Sequence, residues 1–356
     1  MIELGVDQHK AFSQMAALDT ETGVLTQQRM EHDDVEGIRA YVASLGPDVR
    51  ASLETTGNWY WLTDLLEDEG AQVQLANTTE TRRLLKARAK NDRLDAAALA
   101  VLSADRLLPQ VYLPDRAQRD ERERHRFRIR LLGLQTRIKN IIHSILSKLN
   151  VPTPFSDMFG RAGRVYLDGL DLRDPYGDQL RSALRVLDAI EPEVARAKRQ
   201  IIQRLEGEPL ADLLQSAPGI GELTAYLILH EIGPIERFPG PKPFARYCCV
   251  TPGTNASADW RGRPGVGRSG NLYLKEKFSN AALGAIRKDA TIRTFYKRQV
   301  RRNGAKKAKM AAAHKLARAV YFMLSRRQAY RPAPAIRRTR VRKTTAGKPV
   351  SCPGRT

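Results

Sequence analysis

The sequence predicts an α/β domain over residues 1–115, followed by a region that is mostly α-helical. Three observations support this division. In the first part, three short strand patterns come in succession before strands and helices alternate. In the second part, apolar residues recur at helical spacing over long stretches. The charge changes at the same place: residues 1–115 hold 11 Lys and Arg against 19 Asp and Glu, a net charge of −8, whereas residues 116–356 carry +29.

The overall composition favours a polyanionic partner. The 356 residues carry a formal charge of +21, which argues against a free-standing metabolic enzyme. No apolar run reaches the roughly 18 residues of a membrane span, and the first residues lack the pattern of a signal peptide. Three cysteines form neither a disulfide framework nor a zinc motif. We therefore expect a soluble, cytoplasmic protein with no membrane partner.

The predicted elements of the first part define its topology. Three strands form a meander, and a helix follows the capping residues Asp33 and Asp34. The remaining segments are a strand at 51–54, a helix at 58–69, a strand at 72–76 and helices at 79–89 and 92–102; the meander strands are 2–8, 11–18 and 23–30. This order is typical of an RNase H-like fold.

Four acidic residues fall where such a fold gathers its ligands. Asp7 lies near the end of the first strand, Glu54 ends the fourth strand, and Asp92 and Asp95 share one face of the last helix. Converging carboxylates repel one another unless a hard cation such as Mg²⁺ or Mn²⁺ lies between them. Two such ions could hold the attacking and leaving oxygens of a phosphodiester. Taken singly, each acid also has an ordinary explanation as a helix cap, a turn residue or a partner of a helix dipole.

Several segments resemble a known family. GVDQHK, ASLETTGNWYWLTDLLEDEGAQVQLA and KNDRLDAAALAVL resemble the N-terminal DEDD domain of the insertion sequence one-ten family of bacterial transposases, which includes Piv-like DNA invertases. APGIGELTAYLILHEIG, TPGTNASADWRGRPGVGRSGNLYL and ALGAIRKDATIRTFYKRQ are similar to its C-terminal transposase domain. The resemblance covers residues 1–115 and 213–325. It implies a RuvC-like fold, as in Holliday-junction resolvases, and a divalent metal bound by Asp7, Glu54, Asp92 and Asp95.

Residues 116–212 are predicted to form a helical, coiled-coil-like region. Its apolar seam has heptad spacing and consists of Phe127, Leu131, Leu134, Ile138, Ile141 and Ile145. The seam fits packing against a second copy of the chain. It fits equally well an intramolecular hairpin with a helix at 180–205, interrupted or restarted at Pro192, with a loop at 151–177 between the two helices.

The transposase domain at 213–325 contains a candidate nucleophile. A serine hydroxyl can attack a phosphodiester and conserve the bond energy in a phosphoserine. The residues alone nominate Ser257 and Ser269, and the resemblance favours Ser257, although Ala258 stands where the family usually has glycine. A tyrosine nucleophile at Tyr247 or Tyr273 lacks the usual Arg and His companions.

Basic and glycine-rich segments are candidates for nucleic-acid contacts. Glycines at a helix start let backbone amides approach a phosphate, and exposed Lys and Arg neutralise it. The candidate residues are Arg82, Arg83, Lys86, Gly219, Gly221, Arg261, Arg263 and Arg268. Basic residues interleaved with Phe295 and Tyr296 over 287–318 fit phosphate contacts and base stacking. Residues 326–356 hold ten basic and no acidic residues, as in a disordered basic arm.

The predicted function is a DNA transposase or recombinase that cuts and exchanges strands through Ser257, assisted by the metal-binding acids. The resemblance further implies a composite site within a homo-dimer or homo-tetramer, a guide (bridge) RNA encoded by the element, and a nucleoid-associated location. One alternative is a metal-dependent, structure-specific endonuclease similar to a Holliday-junction resolvase. The other is a non-catalytic nucleic-acid-binding protein.

Overall fold

The computed structural model describes residues 1–55, 59–85, 92–251, 256–257, 260–261 and 270–332. Contacts divide the chain into two compact units, Met1–Arg119 and Asp120–Thr356. A mixed-sheet unit followed by a mostly helical unit confirms the predicted fold class at this level. Within the described residues, no helix is both long enough and apolar enough to cross a membrane. The further division of the second unit at residues 212 and 325 stays a prediction.

The first unit is built on a mixed sheet with β1 at its centre. Its described strands are β1 (Ile2–Gln8), β2 (Phe12–Asp19), β3 (Leu25–Glu31), β4 (Val49–Glu54), β5 (Gln72–Ala76) and β6 (Gln110–Val111). They lie in the order β3-β2-β1-β4-β5-β6. The pairs β1–β2 and β2–β3 are antiparallel hairpins, whereas β4 and β5 run parallel to β1. The predicted meander is confirmed, and the two-residue β6 was not predicted.

Helices cover the sheet of the first unit. They are α1 (Val35–Ser44), α2 (Trp59–Asp68), α3 (Thr78–Leu85) and α4 (Asp92–Ala104). Asp34 caps α1, because its Oδ1 accepts a hydrogen bond of 2.9 Å from the Gly37 amide. The core between sheet and helices contains Leu4, Val6, Leu53, Leu62 and Leu66, each fully buried. Alternation of apolar residues along β1 and β4 places Leu4, Val6 and Leu53 on the sheet faces, and α2 contributes Leu62 and Leu66.

Helix α4 lies unusually close to the central strand. A Cβ atom added to Gly5 would lie 2.0 Å from the carbonyl oxygen of Ala96 and 2.7 Å from the amide nitrogen of Ala100. Only glycine leaves room for the helix backbone at this point of β1. Small residues on the helix face, Ala96 and Ala100, complete the close contact, and both are fully buried.

A buried carboxylate fixes the other end of α4. The Oε2 atom of Glu3 accepts a hydrogen bond of 2.5 Å from the Ser103 hydroxyl, and its Oε1 accepts one of 2.8 Å from Arg50 Nη1. Glu3 is 0% exposed, so its charge depends on these partners for compensation. Ser103 therefore lies at Glu3, and Ala96 and Ala100 lie at Gly5. Higher residue numbers in α4 thus lie beside lower residue numbers in β1, so α4 runs antiparallel to β1. Helix α4 therefore begins beside the end of that strand.

The second unit contains a helical hairpin. Helix α5 (Arg116–Lys148) begins in the first unit and continues into the second, where α6 (Arg161–Asp168) and α7 (Tyr176–Leu205) follow. Ile142 and Leu146 of α5 pack with Leu180, Leu184 and Leu187 of α7 in one hydrophobic cluster. The intramolecular alternative for the predicted seam is therefore present in the structure.

The hairpin uses only part of the predicted seam. Ile145 is 3% exposed, whereas Phe127, Leu134 and Ile141 are 49%, 44% and 49% exposed. These three exposed residues are seven apart and form a stripe along α5. The hairpin core instead uses Ile142 and Leu146, one position further along the helix.

Two details of the α5–α7 region differ from the sequence prediction. The predicted loop at 151–177 contains α6, and α7 continues through Pro192. Pro192 is on the exposed side of α7. There, water can satisfy the carbonyl that loses its helical hydrogen bond, so the helix is not interrupted.

The remaining helices form the main core of the second unit. They are α8 (Pro209–Gln215), α9 (Glu222–Ile232), α10 (Pro241–Tyr247), α11 (Leu272–Lys288) and α12 (Ala290–Arg326). Tyr226, Phe244 and Phe278 are fully buried at the centre of this core. Apolar residues at helical spacing between Ala312 and Leu324 of α12 also belong to it.

Candidate active site

The ends of two parallel strands bring Asp7 and Glu54 side by side. Val6 of β1 pairs with Leu53 of β4, and each acid follows its strand neighbour by one residue. The Asp7 side chain is 19% exposed, and Glu54 is half-buried. Since the two strands run in the same direction, both acids lie at the same edge of the sheet.

Helix α4 adds Asp95 to this pair. The helix begins beside the end of β1, and Asp95 directly precedes Ala96, which contacts Gly5. The influence of both other acids on Glu54 agrees with this placement. Burial raises the pKa of Glu54 above its ordinary value, and the negative charges of Asp7 and Asp95 raise it further. We call Asp7, Glu54 and Asp95 the acid cluster.

The fourth predicted acid, Asp92, is the first residue of α4, but its side chain lies outside the described residues. The structure thus brings together three of the four predicted acids. Among the side chains that the structure describes, no group of three His, Cys, Asp or Glu has the geometry of a metal site. A fit to metal therefore rests on the chemistry of the donors rather than on a formed site.

A histidine lies beside the acid cluster. His9 Nε2 is 3.2 Å from Asp7 Oδ2, and the His9 ring stacks on Phe12 with centroids 4.5 Å apart. From the sequence, His9 fits a phosphate contact or an ordinary surface turn equally well. The structure instead places it against Asp7, next to one carboxylate oxygen. The i, i+2 spacing of Asp7 and His9 at a strand end was the available signal.

The positive charge of Arg82 acts on the acid cluster. It lowers the pKa of Glu54, opposing the effects of burial and of the other acids. Arg82 and its neighbour Arg83 are exposed on α3, and Lys86 lies outside the described residues. The field of Arg82 therefore reaches the acid cluster while its guanidinium remains accessible to a substrate.

The predicted nucleophile lies in the second unit, on a short hairpin. Strand β7 (Ala256–Ser257) pairs with β8 (Trp260–Arg261), and Ser257 is opposite Trp260. The side chains of Ser257 and Arg261 lie outside the description, as do Arg263, Arg268 and Ser269 entirely. For Ser257 and Arg261 the structure gives only the backbone pairing.

The two flanks of the segment 252–269 are tied together. The Asn271 amide donates a hydrogen bond of 2.7 Å to the Tyr247 carbonyl oxygen. Gly270 has φ +144°, and a Cβ atom there would lie 2.5 Å from the same oxygen and 2.8 Å from Cys249 Sγ. The chain therefore leaves the end of α10 and returns to it at Asn271, which caps α11.

A fully buried carboxylate, Glu231, stabilises this junction. Both of its oxygens accept hydrogen bonds of 2.8 Å from Arg126, and Oε2 accepts a further bond of 2.6 Å from Asn271 Nδ2. The Tyr247 hydroxyl donates to its backbone carbonyl at 3.1 Å. Glu231 thus links α5, α9, α10 and the start of α11. Sequence reasoning missed it, because a glutamate near the end of an apolar helix resembles a solvated residue.

The glycines predicted to contact phosphate have different surroundings. Gly219 has φ +88°, and a Cβ atom there would lie 2.1 Å from the Ala281 carbonyl oxygen. A close contact with α11 therefore explains Gly219. Gly221 caps the N-terminus of α9 and is exposed, and a Cβ atom added there would meet no other atom within 4 Å. Contact of either glycine with a nucleic acid stays a prediction.

Two family models match the chain. One, the model of the IS110 DEDD domain, is described as "Transposase" and matches residues 4–151. The other, described as transposase of the IS116/IS110/IS902 family, matches residues 211–297. The first contains the acid cluster, and the second contains Ser257 and Glu231.

Curated relatives agree with these matches. A "probable family 20 transposase" of Pseudomonas aeruginosa is 24% identical over 341 residues, covering 92% of this chain and 98% of the relative. The transposase for insertion sequence element IS1111A of Coxiella burnetii is 24% identical over 344 residues, covering 92% and 91%. An uncharacterized insertion element IS110 protein of Streptomyces coelicolor is 32% identical over 113 residues, covering 32% and 28%.

Proposed function

Because the chain belongs to the IS110 family of insertion-sequence transposases, we propose that it cuts and rejoins DNA strands, with Ser257 as nucleophile and the acid cluster as a divalent-metal site. As a member of a transposase family, the protein is a DNA-processing enzyme and binds DNA. The observation that carries the proposal is the meeting of Asp7, Glu54 and Asp95 at one sheet edge. The elements that build this edge lie inside the DEDD family match.

The topology of the first unit supports an RNase H-like assignment. An antiparallel meander β3-β2-β1 continues through parallel strands β4 and β5, with α4 packed on β1. In such a sheet the acids of β1, β4 and the last helix meet at one edge. We include in this proposal that the first unit is related to the RuvC-like resolvases, as the sequence resemblance implies.

The donor chemistry of the acid cluster fits Mg²⁺ or Mn²⁺. Asp7, Glu54 and Asp95 offer hard carboxylate oxygens, and Asp92 lies one helical turn before Asp95. Burial is the main cause of the raised pKa of Glu54, and the negative charges of Asp7 and Asp95 add to it, as expected for carboxylates gathered without a cation. When bound, such a metal would stabilise negative charge on the phosphate. His9 would hold Asp7 in orientation, and Arg82 would bind a neighbouring phosphate oxygen.

The serine step conserves a phosphodiester bond. The Ser257 hydroxyl would attack phosphorus, so that one Ser Oγ–P bond forms while one P–O bond of the DNA breaks. The departing DNA oxygen takes up a proton, and serine gives one up. A new 3′ hydroxyl would then attack the phosphoserine and release the serine hydroxyl. Because bond energy is retained, rejoining needs no nucleotide cofactor.

Trapping of a covalent protein–DNA adduct tests this step. The full-length protein, incubated with DNA of the insertion-sequence ends and Mg²⁺, should yield an adduct that survives denaturation. Ser257→Ala should abolish the adduct, and Ser269→Ala should retain it. Hydrolysed DNA without any adduct would favour the structure-specific endonuclease instead. DNA binding without cleavage under any divalent metal would favour the non-catalytic alternative.

An RNA guide and a homo-dimer or homo-tetramer complete the proposal. The charge of +29 after residue 115 favours binding to the phosphates of DNA and RNA. A structured non-coding segment beside the gene, and RNA of that sequence bound to the purified protein, would support the guide. If neither the non-coding segment nor the bound RNA is found, the proposal of an RNA guide is wrong, and the proposed serine step is unaffected.

A further inference from the structure

The last helix of the second unit changes direction at Gly304. Helix α12 is helical on both sides of this residue, but Gly304 itself has φ 77° and ψ 162°. This conformation favours glycine over residues with a side chain. No atom lies within 4 Å of an added Cβ, so backbone conformation rather than lack of space explains the glycine.

A contact across Gly304 shows that the helix folds back. Lys315 Nζ lies 5.1 Å from the centre of the Phe295 ring. Twenty residues of straight helix would separate these positions by about 30 Å. The two side chains are too short to bridge that distance, so α12 forms a helical hairpin with arms at 290–303 and 305–326.

The ends and the arms of this hairpin are held firmly. Asp289, before the first arm, accepts a hydrogen bond of 2.7 Å from the Ile292 amide and one of 3.0 Å from the Tyr330 hydroxyl, which follows the second arm. Ala308 and Ala312 are 0% exposed. Ile292 of the first arm and Ala312 of the second arm both belong to the main core of the second unit, so both arms are anchored by packing.

The turn of the hairpin is exposed and strongly basic. Every residue from 301 to 307 is exposed, and we call this segment the basic tip. Arg301 and Arg302 precede Gly304, and Lys306 and Lys307 follow it, so cations lie on both arms. No Asp or Glu occurs in the sequence after Asp289. A cluster of like charges repels itself unless a polyanion neutralises it.

We propose that the basic tip binds the phosphodiester backbone of a nucleic-acid duplex, with Arg301, Arg302, Lys306 and Lys307 contacting phosphates on both sides of the Gly304 turn. The inference rests on the proposed function in that it assumes a nucleic-acid substrate, but it needs neither Ser257 nor the acid cluster. Charged contacts of this kind fix position on a duplex and do not read its sequence.

The salt dependence of binding tests the basic tip. The full-length protein is titrated onto a short DNA duplex and onto an RNA duplex of the same sequence at several salt concentrations. For DNA, each lost phosphate contact lowers the slope of log K against log salt by about 0.9. The variant R301Q/R302Q/K306Q/K307Q should reduce the slope by about two units or more. A reduction on one duplex alone identifies DNA or RNA as the source of the phosphates.

A matched variant separates local contact from total charge. R181Q/R185Q/R196Q/R199Q also removes four positive charges, but from α7. There, Arg181 and Arg196 form ion pairs with Asp178 and Glu193 at 2.5 Å. Its slope should remain that of the wild type. Equal reductions in both variants, or none in the tip variant, would overturn the proposal.

Folding and the serine step are controlled separately. The two half-variants, R301Q/R302Q and K306Q/K307Q, should each give about half the slope change, with the helical content and thermal unfolding of the wild type. The conservative variant K306R/K307R should bind as the wild type does. If the protein forms the Ser257 adduct but the salt slope does not depend on the tip residues, the proposal for the basic tip is wrong and the serine step stands. If the slope depends on the tip residues but no adduct forms, the serine step is wrong and the proposal for the basic tip stands.

Discussion

A Cβ atom on Gly5 would lie 2.0 Å from the carbonyl oxygen of Ala96, so the central strand and the last helix of the first unit are in contact through their backbones. Asp95 is the residue next to Ala96, and Asp7 lies two residues beyond Gly5. This single close contact therefore sets the distance between the helix acid and the strand acid. The glycine is a condition of the acid cluster although it contributes no functional group.

Gly5→Ala should therefore damage both stability and function. The added methyl group meets backbone atoms that cannot rotate away, and we expect a loss of about 3 kcal/mol in the free energy of unfolding. Urea unfolding followed by circular dichroism measures it. Gly133→Ala, on an exposed face of α5 with nothing within 4 Å, serves as control and should be neutral or slightly stabilising. Equal changes in unfolding free energy for the two substitutions would show that the structure at Gly5 can accommodate a methyl group.

Glu54→Gln should abolish DNA cleavage while stabilising the metal-free protein. Burial and the charges of Asp7 and Asp95 raise the pKa of Glu54, so its contribution to stability is present below the ordinary glutamate pKa. That contribution is lost as the pH rises through the raised value, and a neutral glutamine avoids the loss. Thermal unfolding with EDTA across neutral pH measures the difference.

Mg²⁺ should reverse this order of stability. A ligand at a hundred times its dissociation constant adds about 2.7 kcal/mol to a folded state that binds it. The wild type should gain stability with increasing Mg²⁺, and Glu54→Gln should gain much less. An identical response of both proteins to Mg²⁺ would argue against Glu54 as a ligand.

Glu231→Ala should destabilise the second unit by about 3–5 kcal/mol, because it removes the fully buried carboxylate to which Arg126 and Asn271 both donate hydrogen bonds. The matched control is Glu123→Ala. Glu123 also pairs with Arg126, at 3.6 Å, but it is 38% exposed and should contribute about 1 kcal/mol or less. Chemical unfolding measures both. Similar costs would mean that burial adds little to the Arg126–Glu231 pair.

His125 should make the stability of the second unit fall in acid. Burial, followed by the nearby charges of Arg126, His230, Lys277 and Arg122, lowers the pKa of His125 to about 3. The unfolded chain therefore takes up this proton first, and the stability present above the ordinary histidine pKa is lost as pH falls toward the folded value. The carboxylate of Glu231, 3.0 Å from His125 Nε2, opposes this effect, so at about pH 5 the loss should be at most about 2 kcal/mol relative to about pH 7. His125→Gln should show a shallower decline in unfolding free energy, and an unchanged decline would exclude His125 as the cause.

The exposed stripe on α5 should matter for self-association. Phe127, Leu134 and Ile141 remain 44–49% exposed within one chain. F127E/L134E should dissociate a homo-oligomer, measured by analytical ultracentrifugation, because buried glutamates without partners are costly. Val165→Glu, at a side chain 72% exposed on α6, should leave the oligomer intact. If the wild-type protein sediments as a monomer, the prediction of a dimer or tetramer is wrong.

The strands and helices of the first unit could be predicted because their signals are local. Alternating apolar residues in β1 and β4 and the Asp34 cap of α1 depend on near neighbours along the chain. The same patterns placed Asp7 and Glu54 at strand ends. The two-residue β6 and the continuation of α7 through Pro192 could not be predicted, because each depends on surroundings that a short window does not contain.

By itself, the sequence determined the class of the two units, the acids Asp7 and Glu54 at neighbouring strand ends, and the excess of basic residues after residue 115. Tertiary structure decided which residues meet. Gly5 admits the backbone of α4 and so brings Asp95 to the strand acids; Glu231 finds Arg126 more than a hundred positions away; and Gly304 turns α12 back on itself so that Phe295 meets Lys315. The physical reason is that periodicity and capping act over a few residues, whereas close packing and charge pairing depend on distances that only the folded chain sets.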